Sequence, residues 1–208
     1  MPISAARSRI VALAQANWRI AVHAVLPDIF DEVVRAEPKL IVELGVSLEA
    51  LANKALVAAA ELSGAQVISC DLHDFSHVCD YPLWSFCRED ARTLGRWYAD
   101  HGNVVDVLLI DCDELYETTL AIWRAWATCL APKCTVMFRC TNLAKILHYA
   151  DGTCTGLGWD NDRGVIRAIG DALLVHFDET KPSEGILNGW FVKHIPWGAG
   201  LTVLRRPA

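Results

Sequence analysis

Two apolar segments, each followed directly by polar residues, most constrain how this chain can fold. The first is 107–110, which precedes a run of acidic and aromatic residues at 111–117. The second is 135–138, which precedes Arg139, Cys140, Thr141 and Asn142. In an open parallel α/β sheet, ligands bind outside the carboxyl ends of the strands. The polar residues after these two segments are therefore candidates for a ligand site.

Strands and helices are predicted to alternate along most of the chain. The strands are predicted from short apolar runs, and the helices from apolar residues that recur at the spacing of a helix. Strands are predicted at 40–44, 66–70, 84–87, 104–110, 134–138, 186–194 and 201–205. Helices are predicted at 4–25, 92–100, 115–130 and 163–174. A short helix is predicted to end at Ala36, and another is predicted to begin at residue 48 and to end at a C-terminal glycine, Gly64. Residues 143–161 are predicted to form an irregular active-site segment.

This alternation predicts an α/β fold of the Rossmann-like, doubly wound type. Its sheet would be mostly parallel, with an antiparallel C-terminal strand. We expect residues 1–37 to form a helical N-terminal extension and residues 38–208 to form the α/β domain. The apolar N-terminal helix suggests a homodimer.

Composition excludes several classes of function. The net charge of −6 provides no basic field for nucleic acid. No apolar run reaches the roughly 18 residues that a membrane span needs. No secretory signal is visible, so the eight cysteines are interpreted as reduced thiols of a cytoplasmic protein.

Seven short motifs follow one another in an order that is typical of one enzyme family. They are Glu43-Leu-Gly45, Asp71, Glu89-Asp90-Ala91, residues 110–117, Phe138-Arg-Cys-Thr141, Gly164-Val-Ile-Arg167 and residues 198–204. In this order and spacing the chain resembles class I S-adenosylmethionine-dependent methyltransferases over about residues 38–205. It most resembles the bacterial small-molecule O-methyltransferases that include sugar- and antibiotic-tailoring enzymes.

The resemblance implies S-adenosylmethionine as cofactor and a small-molecule hydroxyl as methyl acceptor. Asp71 would accept hydrogen bonds from the ribose hydroxyls, Asp90 would receive the adenine amino group, and Asp111 would lie beneath the sulfonium. Gly45 would allow the tight turn into the first helix of the domain. The residues expected to bind the cofactor are Glu43, Gly45, Ser47, Asp71, Asp90 and Asp111.

The chain departs from the family pattern in ways that bear on metal binding. Arg139-Cys140 stands where metal-dependent relatives have a His-Asp pair that supplies carboxylate ligands to magnesium. Arginine cannot ligate, and a thiol is a poor ligand for this hard ion. We therefore expect no metal site of the family type.

Asp111, Asp113 and Glu114 are the candidate catalytic residues, since a carboxylate can take the proton of an acceptor hydroxyl. Glu114 replaces the histidine of the family motif. The alternative for Asp113 and Glu114 is that both are solvated residues at a helix N-terminus, where the helix dipole favours acidic groups.

The glycine-rich loop after the first strand is also altered: either residues 47–51, with Ser47 and Glu49, stand where the family has its second glycine, or the loop is shortened by several residues. If Glu49 points into the site, it would repel the cofactor's carboxylate. The alternative function is then a degenerate methyltransferase fold that serves as a partner-binding module. A dehydrogenase is disfavoured because no G-x-G-x-x-G follows the first strand.

Two further sets of residues are weaker candidates. Acceptor contacts could come from His148, Trp159, Asp160 or Asp162. The histidines and cysteines of residues 70–79 have spacings that a transition metal could use, although a loop over the adenosine is the favoured interpretation.

Overall fold

The computed structural model describes residues 2–17, 24–142, 146–148, 154–156 and 163–206. Its helices are α1 (Ile3–Ala16), α2 (Leu26–Ala36), α3 (Leu51–Ser63), α4 (Ala91–Asp100), α5 (Tyr116–Trp126) and α6 (Gly164–Leu173). Its strands are β1 (Leu40–Leu44), β2 (Gln66–Asp71), β3 (Trp84–Arg88), β4 (Val105–Ile110), β5 (Leu130–Arg139), β6 (Ile146–His148), β7 (Cys154–Gly156), β8 (Ser183–Leu187), β9 (Trp190–Ile195) and β10 (Leu201–Arg205).

The main sheet has eight strands in the order β3-β2-β1-β4-β5-β10-β9-β8. The five strands from β3 to β5 are parallel, whereas β10, β9 and β8 pair antiparallel. The chain runs outward from β1 through β2 to β3, then returns to the other side of β1 with β4. The strand order therefore reverses between β1 and β4, and the carboxyl ends of these strands form a topological switch point.

Both faces of the sheet are covered by helices, which is why the central strands are apolar along their whole length. Ile41, Val107 and Met137 belong to the cluster under α1, α2 and α3. Leu108 and Phe138 belong to the cluster under α4, α5 and α6. Successive strand residues alternate between these two clusters, so both faces are desolvated and the polar groups of the strands collect at their ends.

The structure confirms the predicted fold class, a mostly parallel doubly wound sheet with antiparallel pairing at its C-terminal side. Residues of α1 and α2, such as Ile10 and Phe30, pack in the same cluster as α3. The boundary after residue 37 stays a prediction. No helix within the described residues is long and apolar enough to cross a membrane.

Several predicted elements were wrong in their bounds. The strand predicted for 134–138 begins at Leu130, and the helix predicted from residue 48 begins at Leu51. The described residues of the segment 143–161, which was predicted to be irregular, form the paired strands β6 and β7, and the rest of that segment lies outside the described residues. The first helix ends at Ala16 rather than continuing to residue 25, and residues 18–23 of that prediction lie outside the described residues. The helix predicted for 115–130 ends at Trp126, after which a 3₁₀ turn leads into β5 at Leu130.

The strand predicted for 186–194 is in fact the end of β8, a turn and most of β9, which pair as a hairpin. Asn188 and Gly189 have φ angles of 47° and 82°. Asn-Gly readily adopts two consecutive positive φ angles, which is the geometry of a two-residue hairpin turn. The sheet therefore ends in three antiparallel strands instead of two.

Candidate functional site

A cavity of about 420 Å³ lies at the carboxyl ends of the parallel strands, across the switch point between β1 and β4. This volume lies within the range of about 300–1,000 Å³ that is typical of small-molecule sites. The cavity is lined by Gly45, Val46, Ser47, Cys70, Asp71, Leu72, His73, Glu89, Asp90, Ala91, Arg92, Asp111, Cys112, Asp113, Glu114, Thr118, Ile122, Arg139 and Cys140.

Gly45 forms the tight turn between β1 and the loop before α3. Its φ is +89°, and a Cβ at this position would lie 2.6 Å from the carbonyl carbon of Asp111. The Gly45 N–H donates to the Cys70 carbonyl at 2.8 Å, and the Asp111 N–H donates to the Leu44 carbonyl at 2.8 Å. Only glycine allows the ends of β1, β2 and β4 to approach this closely.

The Asp71 carboxylate at the end of β2 is held by two backbone groups. Oδ2 accepts a hydrogen bond from the Val46 N–H at 2.8 Å, and Oδ1 accepts one from the His73 N–H at 2.8 Å. A carboxylate offers about four acceptor sites. The two oxygens are therefore fixed in place, while each keeps acceptor capacity toward the cavity.

Asp90 caps the N-terminus of α4, where it accepts hydrogen bonds from the backbone N–H groups of Arg92 and Thr93. The Arg92 guanidinium also pairs with this carboxylate, with Nη2 2.5 Å from Oδ2. The hydrogen bond from the Arg92 side chain is the main cause that lowers the pKa of Asp90 to about 2. Asp90 is consequently ionised at neutral pH.

In the lining of the cavity, Asp111 forms an ion pair with Arg139, which lies at the end of the neighbouring strand β5. The two side chains are 12% and 3% exposed. Burial raises the pKa of Asp111 to about 6, while the charge of Arg139 acts in the opposite direction. Arg139 was predicted as a candidate ligand-site residue and as a departure from the metal-binding pattern, but its pairing with Asp111 was not predicted.

Glu43 lies beneath the cavity and is absent from its lining. Its Oε2 accepts a hydrogen bond from the Ser69 hydroxyl at 2.5 Å and another from Asn53 Nδ2 at 2.8 Å. Burial raises the pKa of Glu43 to about 7. The structure thus places Glu43 in a supporting layer below the residues that line the cavity.

The two acidic residues between β4 and α5 differ in exposure. Asp113 is exposed and accepts a hydrogen bond from the Leu115 N–H at 3.2 Å. Glu114 is half-buried and hydrogen bonds to the Cys140 thiol, whose pKa is raised well above its usual value, chiefly by burial. Asp113 matches the alternative of a solvated acid before a helix, whereas Glu114 faces the cavity interior.

Most of the residues expected to bind a cofactor line this cavity, namely Gly45, Ser47, Asp71, Asp90 and Asp111. Glu49 is exposed and does not line it. Arg92 also lines the cavity and was not predicted, although its place two residues after the helix-capping Asp90 is visible in the sequence.

The weaker candidates are divided between the cavity and other places. Of the metal-type residues in 70–79, Cys70, Asp71 and His73 line the cavity. Cys79 faces a separate surface cavity beside α1 and α3. No group of three or more potential metal ligands converges within the described part of the chain. The side chains of His148, Trp159, Asp160 and Asp162 lie outside the described residues.

Sequence comparison alone does not identify relatives of this chain. No protein-family model matches it, and no curated protein matches it.

Solved structures, in contrast, match it over nearly its whole length. A methyltransferase from Geobacter sulfurreducens is 16% identical, with a TM-score of 0.61, over 100% of this chain and 89% of that chain. An O-methyltransferase from Bacillus cereus, solved in complex with S-adenosylhomocysteine, is 10% identical, with a TM-score of 0.59, over 97% and 91%. CalS11, a TDP-rhamnose 3′-O-methyltransferase of calicheamicin biosynthesis, is 17% identical, with a TM-score of 0.51, over 97% and 93%. The chain therefore has the fold of class I S-adenosylmethionine-dependent methyltransferases.

Proposed function

We propose that this protein is an S-adenosylmethionine-dependent methyltransferase that acts on a hydroxyl group of a small molecule without a metal ion. The observation that carries the proposal is the cavity at the β1/β4 switch point, with the fixed Asp71 carboxylate on its wall. The structures that share this fold, described above, are methyltransferases.

The residues around the cavity fit a nucleoside cofactor with an amino-acid end. Asp71 presents two fixed oxygens, which suits the adjacent hydroxyls of a ribose. Asp90, ionised and anchored on α4, would accept from the adenine amino group. Gly45 removes the Cβ that would otherwise obstruct the turn, and Ser47 would lie toward the amino-acid end. When bound, the cofactor would supply a methyl group on a positively charged sulfur.

Glu114 is the residue best placed to act as a base, because it lines the cavity and is half-buried. Glu114 would accept the proton of the acceptor hydroxyl as the hydroxyl oxygen receives the methyl group that the bound cofactor would supply. Asp113 is a second candidate on the rim, and Asp111 is engaged by Arg139. Positioning of the two reactants and exclusion of water would provide much of the remaining acceleration.

Metal independence is supported by the residues at the end of β5. Arg139 places a positive charge there, and Cys140 offers a buried thiol with a raised pKa. Neither provides the oxygen ligands that magnesium requires.

The acceptor class is proposed from the fold and from the residues at the cavity. CalS11 acts on TDP-rhamnose, and a sugar or natural-product hydroxyl is accordingly the first acceptor to test. The cytoplasmic location and the homodimer remain predictions from sequence.

Calorimetry with S-adenosylhomocysteine tests the cofactor site directly. We expect binding to the unmodified protein and at least tenfold weaker binding to Asp71→Asn, since the amide cannot accept from both ribose hydroxyls. Asp74→Asn is the matched control, because Asp74 lies three residues away and does not line the cavity. Absence of heat at millimolar ligand would overturn the proposal.

Methyl transfer is tested separately with labelled S-adenosylmethionine and a panel of hydroxylated small molecules, including nucleotide sugars. Binding of the nucleoside without transfer to any acceptor would favour the second candidate function, a binding module that has lost catalysis.

The ion pair between Asp111 and Arg139 is the observation that favours this second candidate, because it engages the acid expected beneath the sulfonium. The exposed position of Glu49 favours the enzyme. Glu49→Gly distinguishes the two: unchanged affinity for the nucleoside is expected for the enzyme, and a gain of affinity would support the binding module.

A further inference from the structure

Asp90 and Arg92 form a closely bonded pair in the lining of the cavity. Oδ1 of Asp90 accepts hydrogen bonds from the backbone N–H and Nε of Arg92, at 2.8 and 2.9 Å, and from the Thr93 N–H at 3.3 Å. Oδ2 accepts from Nη2 and Nε of Arg92, at 2.5 and 3.2 Å. A carboxylate offers about four acceptor sites. The N–H groups of the protein itself therefore occupy most of the acceptor capacity of Asp90.

The amino group of an adenine could bind Asp90 only by displacing the Arg92 guanidinium from Oδ2. Charge-assisted, bidentate contacts between a guanidinium and a carboxylate are among the stronger hydrogen bonds of proteins. The hydrogen bond from the Arg92 side chain is the main cause that lowers the pKa of Asp90 to about 2, so Asp90 carries the charge that this contact needs at neutral pH. A neutral amino group would replace a strong contact by a weaker one, and adenine therefore gains little from Asp90.

The Arg92 guanidinium itself offers donors to a bound base. A guanidinium has five N–H groups, and in the described part of the chain only Nε and Nη2 of this side chain donate, both to Asp90. Nη1 thus keeps its N–H groups for a ligand of the cavity, which Arg92 lines. Guanidinium donors match the O6 and N7 acceptors of a 6-oxopurine, whereas a carboxylate matches the amino group of a base. This wall of the cavity therefore suits a 6-oxopurine as well as adenine.

We propose that Arg92 relaxes the selection of the base at this cavity, so that a nucleoside thioether with a 6-oxopurine base binds about as tightly as one with adenine. This inference rests on the proposed function, because it concerns the nucleoside of the same site. Asp90 alone would favour adenine through the amino group at C6. Arg92 occupies that acceptor and offers donors to the oxygen of a 6-oxopurine. Both bases are neutral, so the net charge of the cavity does not enter into this selection.

Calorimetry on the unmodified protein with S-adenosylhomocysteine and S-inosylhomocysteine gives the first test. The two probes have the same sugar, amino-acid end and net charge, and they differ only in the base. A hydrogen bond from the amino group to a free carboxylate would favour the adenosyl probe by about 10–100-fold, and we expect a preference of less than about tenfold. A larger preference would overturn this inference alone, whereas failure of both probes to bind would overturn the proposed function.

Arg92→Met removes the guanidinium and leaves Asp90 free to accept from a base. We expect the affinity for the adenosyl probe relative to the inosyl probe to rise by at least about tenfold, since the first gains an acceptor and the second loses donors. Asp90 still caps α4 through the backbone N–H groups, and the Arg92 side chain is 48% exposed, so the variant is expected to fold. An unchanged ratio would show that the pair is only a surface ion pair, and would contradict the inference.

Arg96→Met is the matched control, because Arg96 lies on the same helix, is exposed and does not line the cavity. Its ratio of affinities should equal that of the unmodified protein. A rise as large as that of Arg92→Met would attribute the effect to the loss of one positive charge and would overturn the role of Arg92. Circular dichroism establishes that each variant is folded. If Arg92→Met does not fold, the ratio measured for the unmodified protein decides the matter.

Discussion

The Ser69 hydroxyl donates a hydrogen bond of 2.5 Å to Oε2 of Glu43, directly beneath the cavity. The same hydroxyl oxygen accepts from Asn53 Nδ2 at 3.0 Å and from Trp84 Nε1 at 2.9 Å. Residues of β1, β2, β3 and α3 are thereby joined by one buried polar network. Glu43 is 1% exposed, so its negative charge has little solvation to stabilise it.

This burial predicts that the protein loses stability as the pH rises from about 4.5 to about 7. Burial raises the pKa of Glu43 from 4.5 to about 7. Between these values the folded state binds more protons than the unfolded state, so the free energy of unfolding falls as pH increases. The loss amounts to at most about 3 kcal/mol and is complete above pH 7. Asp111, with its pKa raised to about 6, contributes a smaller loss in the same direction.

Urea unfolding at pH 5 and pH 8 measures this difference. Glu43→Gln replaces the carboxyl with a neutral amide, and we expect it to remove most of the pH dependence and to be more stable than the unmodified protein at pH 8. Glu184→Gln, at an exposed position of β8, serves as the control and should retain the dependence. If the free energy of unfolding of Glu43→Gln changed between pH 5 and pH 8 as much as that of the unmodified protein, the pH dependence could not be assigned to Glu43.

Glu43 also illustrates a limit of inference from sequence. Its place at the end of an apolar strand predicted a ligand contact. Because β1 is buried on both faces, its sequence shows no alternation of apolar and polar residues that would tell which face of the sheet Glu43 lies on. The positions of Gly45 and Asp71 could be predicted. Glycine is the residue that most readily adopts a positive φ, and an acid at the end of an apolar strand is visible in the sequence.

The pairing of Arg139 with Asp111 depends on the neighbouring strands and their register, which the sequence of either strand does not contain. The hairpin at Asn188 and Gly189, in contrast, was missed although its turn signal was present. A feature that a single residue determines, such as the turn at Gly45, could therefore be predicted from the sequence. A contact between two distant segments, such as the pair of Asp111 and Arg139, could not.

Gly45→Ala is expected to abolish binding of the nucleoside and to destabilise the fold. An alanine at positive φ costs about 1–2 kcal/mol in any context, and here the added methyl would also collide with the backbone of Asp111. Gly64→Ala provides the matched control, since Gly64 has a φ of +72° and nothing within 4 Å of the added Cβ. Thermal unfolding and calorimetry with S-adenosylhomocysteine should show a moderate loss of stability with intact binding for Gly64→Ala. Intact binding in Gly45→Ala would exclude a close approach at this turn.

Magnesium is expected to change neither the thermal unfolding midpoint nor the affinity for S-adenosylhomocysteine. The Arg139 charge repels a divalent cation, and the Cys140 thiol is a poor ligand for it. The measurement is differential scanning fluorimetry with millimolar magnesium chloride, with EDTA, and with potassium chloride at matched ionic strength. Stabilisation by magnesium beyond that given by potassium chloride would reveal a site and refute metal independence.

Glu114→Gln is expected to lower kcat for methyl transfer by about 10²–10⁴-fold, the usual contribution of a positioned general base. The amide keeps the size of the side chain and cannot accept the proton, so the affinity for S-adenosylhomocysteine should change little. Glu117→Gln is the control, because Glu117 lies in the first turn of α5, is exposed and does not line the cavity. Asp113→Asn should cause a smaller loss than Glu114→Gln, since Asp113 is exposed to solvent on the rim.

The pH profile separates a base from a residue that only positions the acceptor. If Glu114 takes the proton, Glu114→Gln should change the pH profile of kcat as well as its magnitude, whereas a residue that only positions the acceptor should leave the shape of the profile unchanged. An unchanged profile with a lowered kcat would instead assign Glu114 to positioning, through its hydrogen bond with Cys140. The proton would then have to leave through Asp113 or solvent, and Asp113→Asn would become the more damaging of the two substitutions.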